Sequence, residues 1–98
     1  ATRKLFKKLG LTIKDIDLVE LTEAFAVQAL ACMRELGIGK EKCNLLGGGV
    51  SIGHPIGCTG ARLVYSLAMQ LKKSGKKRGL ASLCIGGGQG FSMVLESV

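Results

Sequence analysis

An α/β fold with a mixed sheet and helices on its faces is predicted, and three observations predict it. Apolar residues recur at helical spacing in three segments. Short apolar runs alternate with those segments, the pattern of a sheet covered by helices. The last two runs are joined only by GGGQG at residues 86–90, too short for a parallel crossover, so the final pair is antiparallel. The predicted order is α-β-α-β-α-β-β, in one domain spanning residues 1–98.

Leu5, Phe6 and Leu9 share the face of a first helix, and Gly10 is its stop. That helix is expected to be already under way at Ala1, as in a chain that begins mid-fold. Thr12 to Asp15 carries a capping signal for one short turn. Ile16 to Leu21 reads as a strand. Glu23 to Leu36 reads as a helix ended by Gly37, and its opening AFAVQALA is apolar nearly all round. A helix without a polar face is buried on every side, which requires a layer on each side or a partner subunit. Cys43 to Leu46 reads as a short strand feeding a glycine-rich loop. Residues 59–73 form the next helix, with Leu63, Val64, Leu67, Ala68 and Leu71 on one face. Gly79 to Ile85 and Phe91 to Leu95 are the last two strands.

Composition narrows the function classes. The chain has 98 residues, 47% hydrophobic and only 4% aromatic, so its core is aliphatic. No apolar run approaches the roughly 20 residues of a membrane span, and no signal segment opens the chain. The net charge is +7, with basic clusters at Arg3, Lys4, Lys7 and Lys8 and at Lys72, Lys73, Lys76, Lys77 and Arg78. Such charge attracts phosphate, but lysines at helix ends also suit the helix dipole. The scarcity of aromatics for base stacking argues against nucleic acid. Cys32, Cys43, Cys58 and Cys84 form no C-x-x-C pair, and with one histidine no metal site is expected. Four thiols without a signal segment fit a reducing compartment.

Three places carry candidate chemistry, each where a predicted strand hands over to a loop or helix. Open α/β sheets bind ligands at those ends. At Thr22-Glu23-Ala24-Phe25, Thr22 either holds a water or oxyanion, with Phe25 lining a pocket, or is simply a helix N-cap. At Gly53-His54-Pro55, the only histidine of the chain either activates a nucleophile or closes a turn. At Cys84-Ile85-Gly86-Gly87-Gly88, the cysteine either sits beside free backbone N–H groups that lower its pKa or is a buried strand residue before a hairpin. Cys58, in the glycine loop near a helix start, is a weaker candidate. The nucleotide motifs fail: GxxxxGK[ST] is absent, and the glycines at 86–90 open a strand rather than a helix.

Taken together, Thr22–Phe25, Gly48–Gly57 and Cys84–Gly90 resemble the C-terminal part of a thiolase, the acetyl-CoA acetyltransferase or 3-ketoacyl-CoA thiolase family. That family carries Asn-Glu-Ala-Phe, Gly-Gly-x-x-x-Gly-His-Pro-x-Gly and Cys-x-Gly-Gly-Gly-x-Gly segments in this order. The resemblance covers essentially the whole chain. It implies a thiolase-like C-terminal half, lacking that half's first strand, with a buried helix between stacked sheets that accounts for the apolar helix after Glu23. By position, His54 matches the histidine that activates the nucleophilic cysteine and helps bind the thioester oxygen. Cys84 matches the general acid/base cysteine, and the Gly86 N–H matches an oxyanion-hole donor. Ala24 and Phe25 match residues lining the pantetheine channel. The implied reaction is ping-pong acyl transfer from a cysteine to CoA or an acetyl-CoA carbanion.

Two departures accompany the match. The nucleophilic cysteine belongs to the family's N-terminal half, and Cys32, Cys43 and Cys58 do not correspond to it. Thr22 stands where the family has an asparagine that orients a water, and Leu46 stands where it has a polar residue. The implied partners are CoA and acyl-CoA as substrates, with no permanently bound cofactor, together with a thiolase N-terminal half and a homo-oligomeric assembly. The isolated chain is expected to be inactive. The rival reading is a non-catalytic CoA-binding or subunit-interaction remnant. The expected location is cytoplasmic, with mitochondrial and peroxisomal locations left open.

Overall fold

The computed structural model describes all residues 1–98. Three strands, β1 (Leu18–Leu21), β2 (Arg78–Gly86) and β3 (Gln89–Glu96), form one sheet in the order β1-β2-β3. β1 runs parallel to β2, with Leu18 opposite Gly79, and β2 runs antiparallel to β3, as the short link requires. Helices α1 (Thr2–Leu9), α2 (Ala26–Leu36), the single turn α3 (Gly49–Ile52) and α4 (Thr59–Ser74) complete the fold.

Alternation along β1 divides the core into two layers, because successive strand side chains point to opposite faces. Val19 and Leu21 pack with Phe6 of α1 and Ala29 of α2. Leu18 packs with Leu63, Leu67 and Leu71 of α4, a stripe one turn apart at each step. The sheet is therefore sandwiched between α1 and α2 on one side and α4 on the other. α1, α2 and α4 each end at a glycine in the left-handed conformation: Gly10, Gly37 and Gly75. Before β1, the Thr12 side chain accepts from the Lys14 N–H while Asp15 accepts from the Thr12 N–H, closing the expected capping box.

The Cys43–Leu46 strand is not formed, so the four predicted strands become three. Cys43 makes a single parallel bridge to Val19. Asn44 then turns left-handed at φ 51°, a region that asparagine tolerates better than most residues. The Gly47 N–H bonds back to the Asn44 carbonyl at 2.9 Å, closing a turn. The Asn44 side chain supplies the pairing that the missing strand would have made. Its Oδ1 accepts from the Leu21 N–H at 2.8 Å, and its Nδ2 donates to the Leu21 carbonyl at 2.8 Å.

α2 also differs from expectation. It begins at Ala26, with Phe25 in extended geometry as its N-cap, so Thr22 is not a helix cap. Only Ala29 of α2 is buried; its outer side leaves Phe25, Val27 and Leu30 exposed. One side packs on the sheet, and these 98 residues provide no layer for the other. The last hairpin is tighter than expected. Gly86 pairs with Gln89, so only Gly87 and Gly88 turn, both at positive φ as a type I′ connection needs.

One acidic group sits inside the α4 side of the sheet. Glu20 is 1% exposed; its Oε1 accepts from Gln70 Nε2 at 2.7 Å, and its Oε2 has no partner. Burial pushes its carboxyl above the ordinary glutamate value, and the Gln70 hydrogen bond and the Arg62 charge oppose this only in part. The fold thus favours neutral Glu20. That contribution is fully present below the unfolded pKa and is lost as pH rises through the raised folded value. Glu20→Gln, which cannot ionise, is expected to gain stability relative to the natural chain as pH rises from about 4 to about 8. Urea unfolding of both chains at several pH values measures that growing gap.

Candidate active site

The loop from Gly47 to Cys58 follows the Asn44 turn, and its glycines have separate reasons. Gly47 lies at φ 90°. Gly48 and Gly49 lie under Glu23: a Cβ at Gly48 would sit 2.5 Å from the Glu23 carboxyl carbon, and one at Gly49 would sit 3.1 Å from its carbonyl oxygen. Glu23 uses both carboxylate oxygens. Oε1 accepts from Asn44 Nδ2 at 2.9 Å, and Oε2 accepts from the Val50 N–H at the start of α3 at 2.7 Å.

α3 delivers the chain through Gly53 to His54, whose Nδ1 lies 2.6 Å from Thr59 Oγ1. Thr59, at the start of α4, is buried, and its hydroxyl donates to the Pro55 carbonyl at 3.2 Å. A hydroxyl has one proton to give. With that proton spent on Pro55, donor counting assigns the other role: His54 Nδ1–H donates to Thr59. The neutral ring then keeps its lone pair on Nε2.

β2 delivers the second group. Cys84 pairs with Gly90, and a bulge between Cys84 and Gly86 re-aims the strand end. His54, Cys84 and Gly86 line one cleft of about 370 Å³, with Ile56, Thr59 and Leu83 among its walls. Cys84 also borders a second cavity of about 500 Å³ that includes Thr2, Gln28, Cys32 and Ser82. No group of three or more His, Cys, Asp or Glu side chains is arranged to hold a metal ion.

The Thr22–Phe25 segment does not join that cleft. Thr22 is 1% exposed; its N–H donates to the Ser82 carbonyl at 2.9 Å, and its hydroxyl has no partner. Ala24 is half-buried and Phe25 is 74% exposed beside α2, and neither lines the His54 cleft. Sequence reasoning missed Asn44 and Thr59, and it weighed Glu23 only as a dipole partner. The available signals were an amide residue three positions before consecutive glycines and a hydroxyl residue five positions after the histidine.

The four thiols differ in environment. All are free; Cys43 is buried and Cys58 is exposed. Burial, with the negative charges of Glu20 and Glu23, pushes the Cys43 thiol up to about 11. Only about one Cys43 in a thousand is then a thiolate at pH 8. Iodoacetamide at that pH is expected to label Cys58 first and Cys43 last, read by peptide mass mapping. Early labelling of Cys43 contradicts the buried placement.

The family model described as "Thiolase, C-terminal domain" matches residues 1–97. This chain belongs to the thiolase C-terminal domain family. It is 50% identical over 96 residues to an acetyl-CoA acetyltransferase of Chromobacterium violaceum, covering 98% of this chain and 24% of that protein. It is 52% identical over 100 residues to a β-ketoadipyl-CoA thiolase of Pseudomonas aeruginosa, covering 100% and 25%. It is 48% identical over 99 residues to a 3-ketoacyl-CoA thiolase of Aliivibrio salmonicida, covering 98% and 26%. The thiolase domain thus spans about a quarter of the length of these curated relatives. Its sheet mixes parallel and antiparallel pairs, as the sequence predicted. No helix is long and apolar enough to cross a membrane.

Proposed function

We propose that this domain contributes the histidine and the acid/base cysteine to a thiolase active site whose nucleophilic cysteine lies in a thiolase N-terminal half. The observation that carries the reading is the cleft that His54 shares with Cys84 and Gly86, which lie far from it in sequence. In the thiolysis direction, the nucleophilic cysteine attacks the 3-keto carbon of a 3-ketoacyl-CoA, and neutral His54 receives its proton at Nε2. The bond between the α- and β-carbons breaks, and the acetyl-CoA carbanion takes a proton from Cys84. Cys84, now a thiolate, removes the proton of an incoming CoA thiol. The CoA sulfur attacks the acyl-enzyme carbonyl, and the enzyme cysteine leaves, taking back its proton from His54. The Gly86 N–H stabilises negative charge on a carbonyl oxygen. Thr22 is assigned the water-holding position, and Ala24 and Phe25 the pantetheine channel. CoA and acyl-CoA are substrates, and no resident cofactor is required. The full enzyme is a homo-oligomer working in the cytoplasm.

A second reading has one observation in its favour. The Thr22 hydroxyl is buried and unpartnered where the family has asparagine, which fits a site that has lost its water and kept only CoA binding or subunit contact. Assembly of this chain with a thiolase N-terminal half, assayed for acetoacetyl-CoA thiolysis, separates the two. Activity that disappears with His54→Ala supports the enzyme reading. Stable assembly without activity supports the non-catalytic one.

A further inference from the structure

We propose that Glu23, held by Asn44, is the positioning residue that fixes the His54 loop against the end of β1. The inference rests on His54 being the group the site must place. Residues 50–58 are all exposed, so no buried side chain in that stretch packs the loop onto the core. Its backbone bonds outside the regular elements are local: Ser51 and Ile52 to Gly48, Gly53 to Gly49, and Cys58 to Pro55. Those bonds shape the loop, and buried Thr59 of α4 holds only its far end, through Pro55 and His54.

The long-range tether is polar and enters at the loop's beginning. Glu23 Oε2 accepts from the Val50 N–H at 2.7 Å, and Oε1 accepts from Asn44 Nδ2 at 2.9 Å. Asn44 is in turn locked to both backbone groups of Leu21. A continuous path therefore runs from the terminal residue of β1 through Asn44 and Glu23 to α3, four residues before His54. Both oxygens of the carboxylate accept, and bonds to an ionised acceptor are the stronger kind. A glutamine at position 23 offers one acceptor and one NH₂ group, so it can serve Asn44 or Val50 but not both. The bare Gly48 follows from the same contact, since a Cβ there would meet the Glu23 carboxylate.

Nitrogen-15 NMR of the chain tests this with two variants, because His54 is the only imidazole. Asn44→Gly keeps the left-handed turn and deletes the amide; Glu23→Gln keeps the side-chain shape and removes one acceptor. In both, exchange of the Val50 amide is expected to rise about tenfold or more. The His54 ring-nitrogen signals are expected to move toward those of a solvated imidazole as its bond to Thr59 loosens. The amide of Leu80, 0% exposed in β2, reports whether the fold is intact and should stay protected. If Asn44→Gly loses that protection, Glu23→Gln alone decides. Unchanged Val50 exchange and unchanged His54 signals in folded Glu23→Gln overturn the inference. None of these readouts needs turnover. An inactive assembly would therefore count against the proposed enzyme reading and leave this inference standing.

Discussion

Cys84→Ala in an assembly with a thiolase N-terminal half is expected to lower thiolysis and condensation by about 10²–10⁴-fold, the usual contribution of one positioned acid/base. Both directions should fall together, because the group that protonates the carbanion in one direction removes that proton in the other. The substitution deletes one sulfur from a half-buried strand residue. The ladder beside it, Cys84 opposite Gly90, is made by backbone, so the sheet should survive. Cys84→Ser is expected to restore little, since a hydroxyl is a much weaker acid than a thiol. Initial rates of acetoacetyl-CoA cleavage, with circular dichroism of each variant, provide the check. A Cys84→Ala enzyme with normal rates removes Cys84 from the proton path.

Leu67→Ala is expected to be the most damaging of the simple core truncations, costing about 2–5 kcal/mol of folding stability. Leu67 is 0% exposed and sits in the middle of the α4 stripe between Leu63 and Leu71. It also fills the space above Gly79, where a Cβ would come within 2.6 Å of its Cδ1. Truncation leaves a cavity that neither the glycine strand nor the flanking leucines can close without moving backbone. A small domain has only about 5–15 kcal/mol to lose. The urea midpoint should drop by about 1 M or more. Tyr65, on the same helix but 68% exposed, is the contrast: Tyr65→Ala should change stability by about 0.5 kcal/mol or less.

The elements written in local chemistry were legible in the sequence. The glycine after each of α1 and α2, the Thr12–Asp15 box and the short glycine link before β3 each act on neighbouring residues, so spacing alone reveals them. The Cys43–Leu46 segment misled because its apolar pattern suits a strand, whereas one left-handed asparagine ends the pairing after a single bridge. No periodicity encodes that. Phe25, not Thr22, caps α2, since Thr22 is still engaged with the sheet through Ser82. In the site, a strand end was expected before each of His54 and Cys84, yet His54 follows the single turn α3 and Cys84 lies within β2, and the two meet in one cleft all the same. The roles of Glu23 and Asn44 were not legible, because each bond spans more than twenty residues and joins a side chain to a backbone group or another side chain. Thr59 was hidden by its ordinary position in the first turn of a helix.

The central claim is that this domain supplies the base and the acid of the site but not its nucleophile. The direct measurement is the location of the acyl group. The domain assembled with a thiolase N-terminal half is mixed with acetyl-CoA, quenched in acid and mapped by peptide mass. The expected result is acetylation on a cysteine of the N-terminal half and on none of Cys32, Cys43, Cys58 and Cys84. An acetyl thioester formed rapidly on Cys84 would make it the nucleophile and contradict the claim.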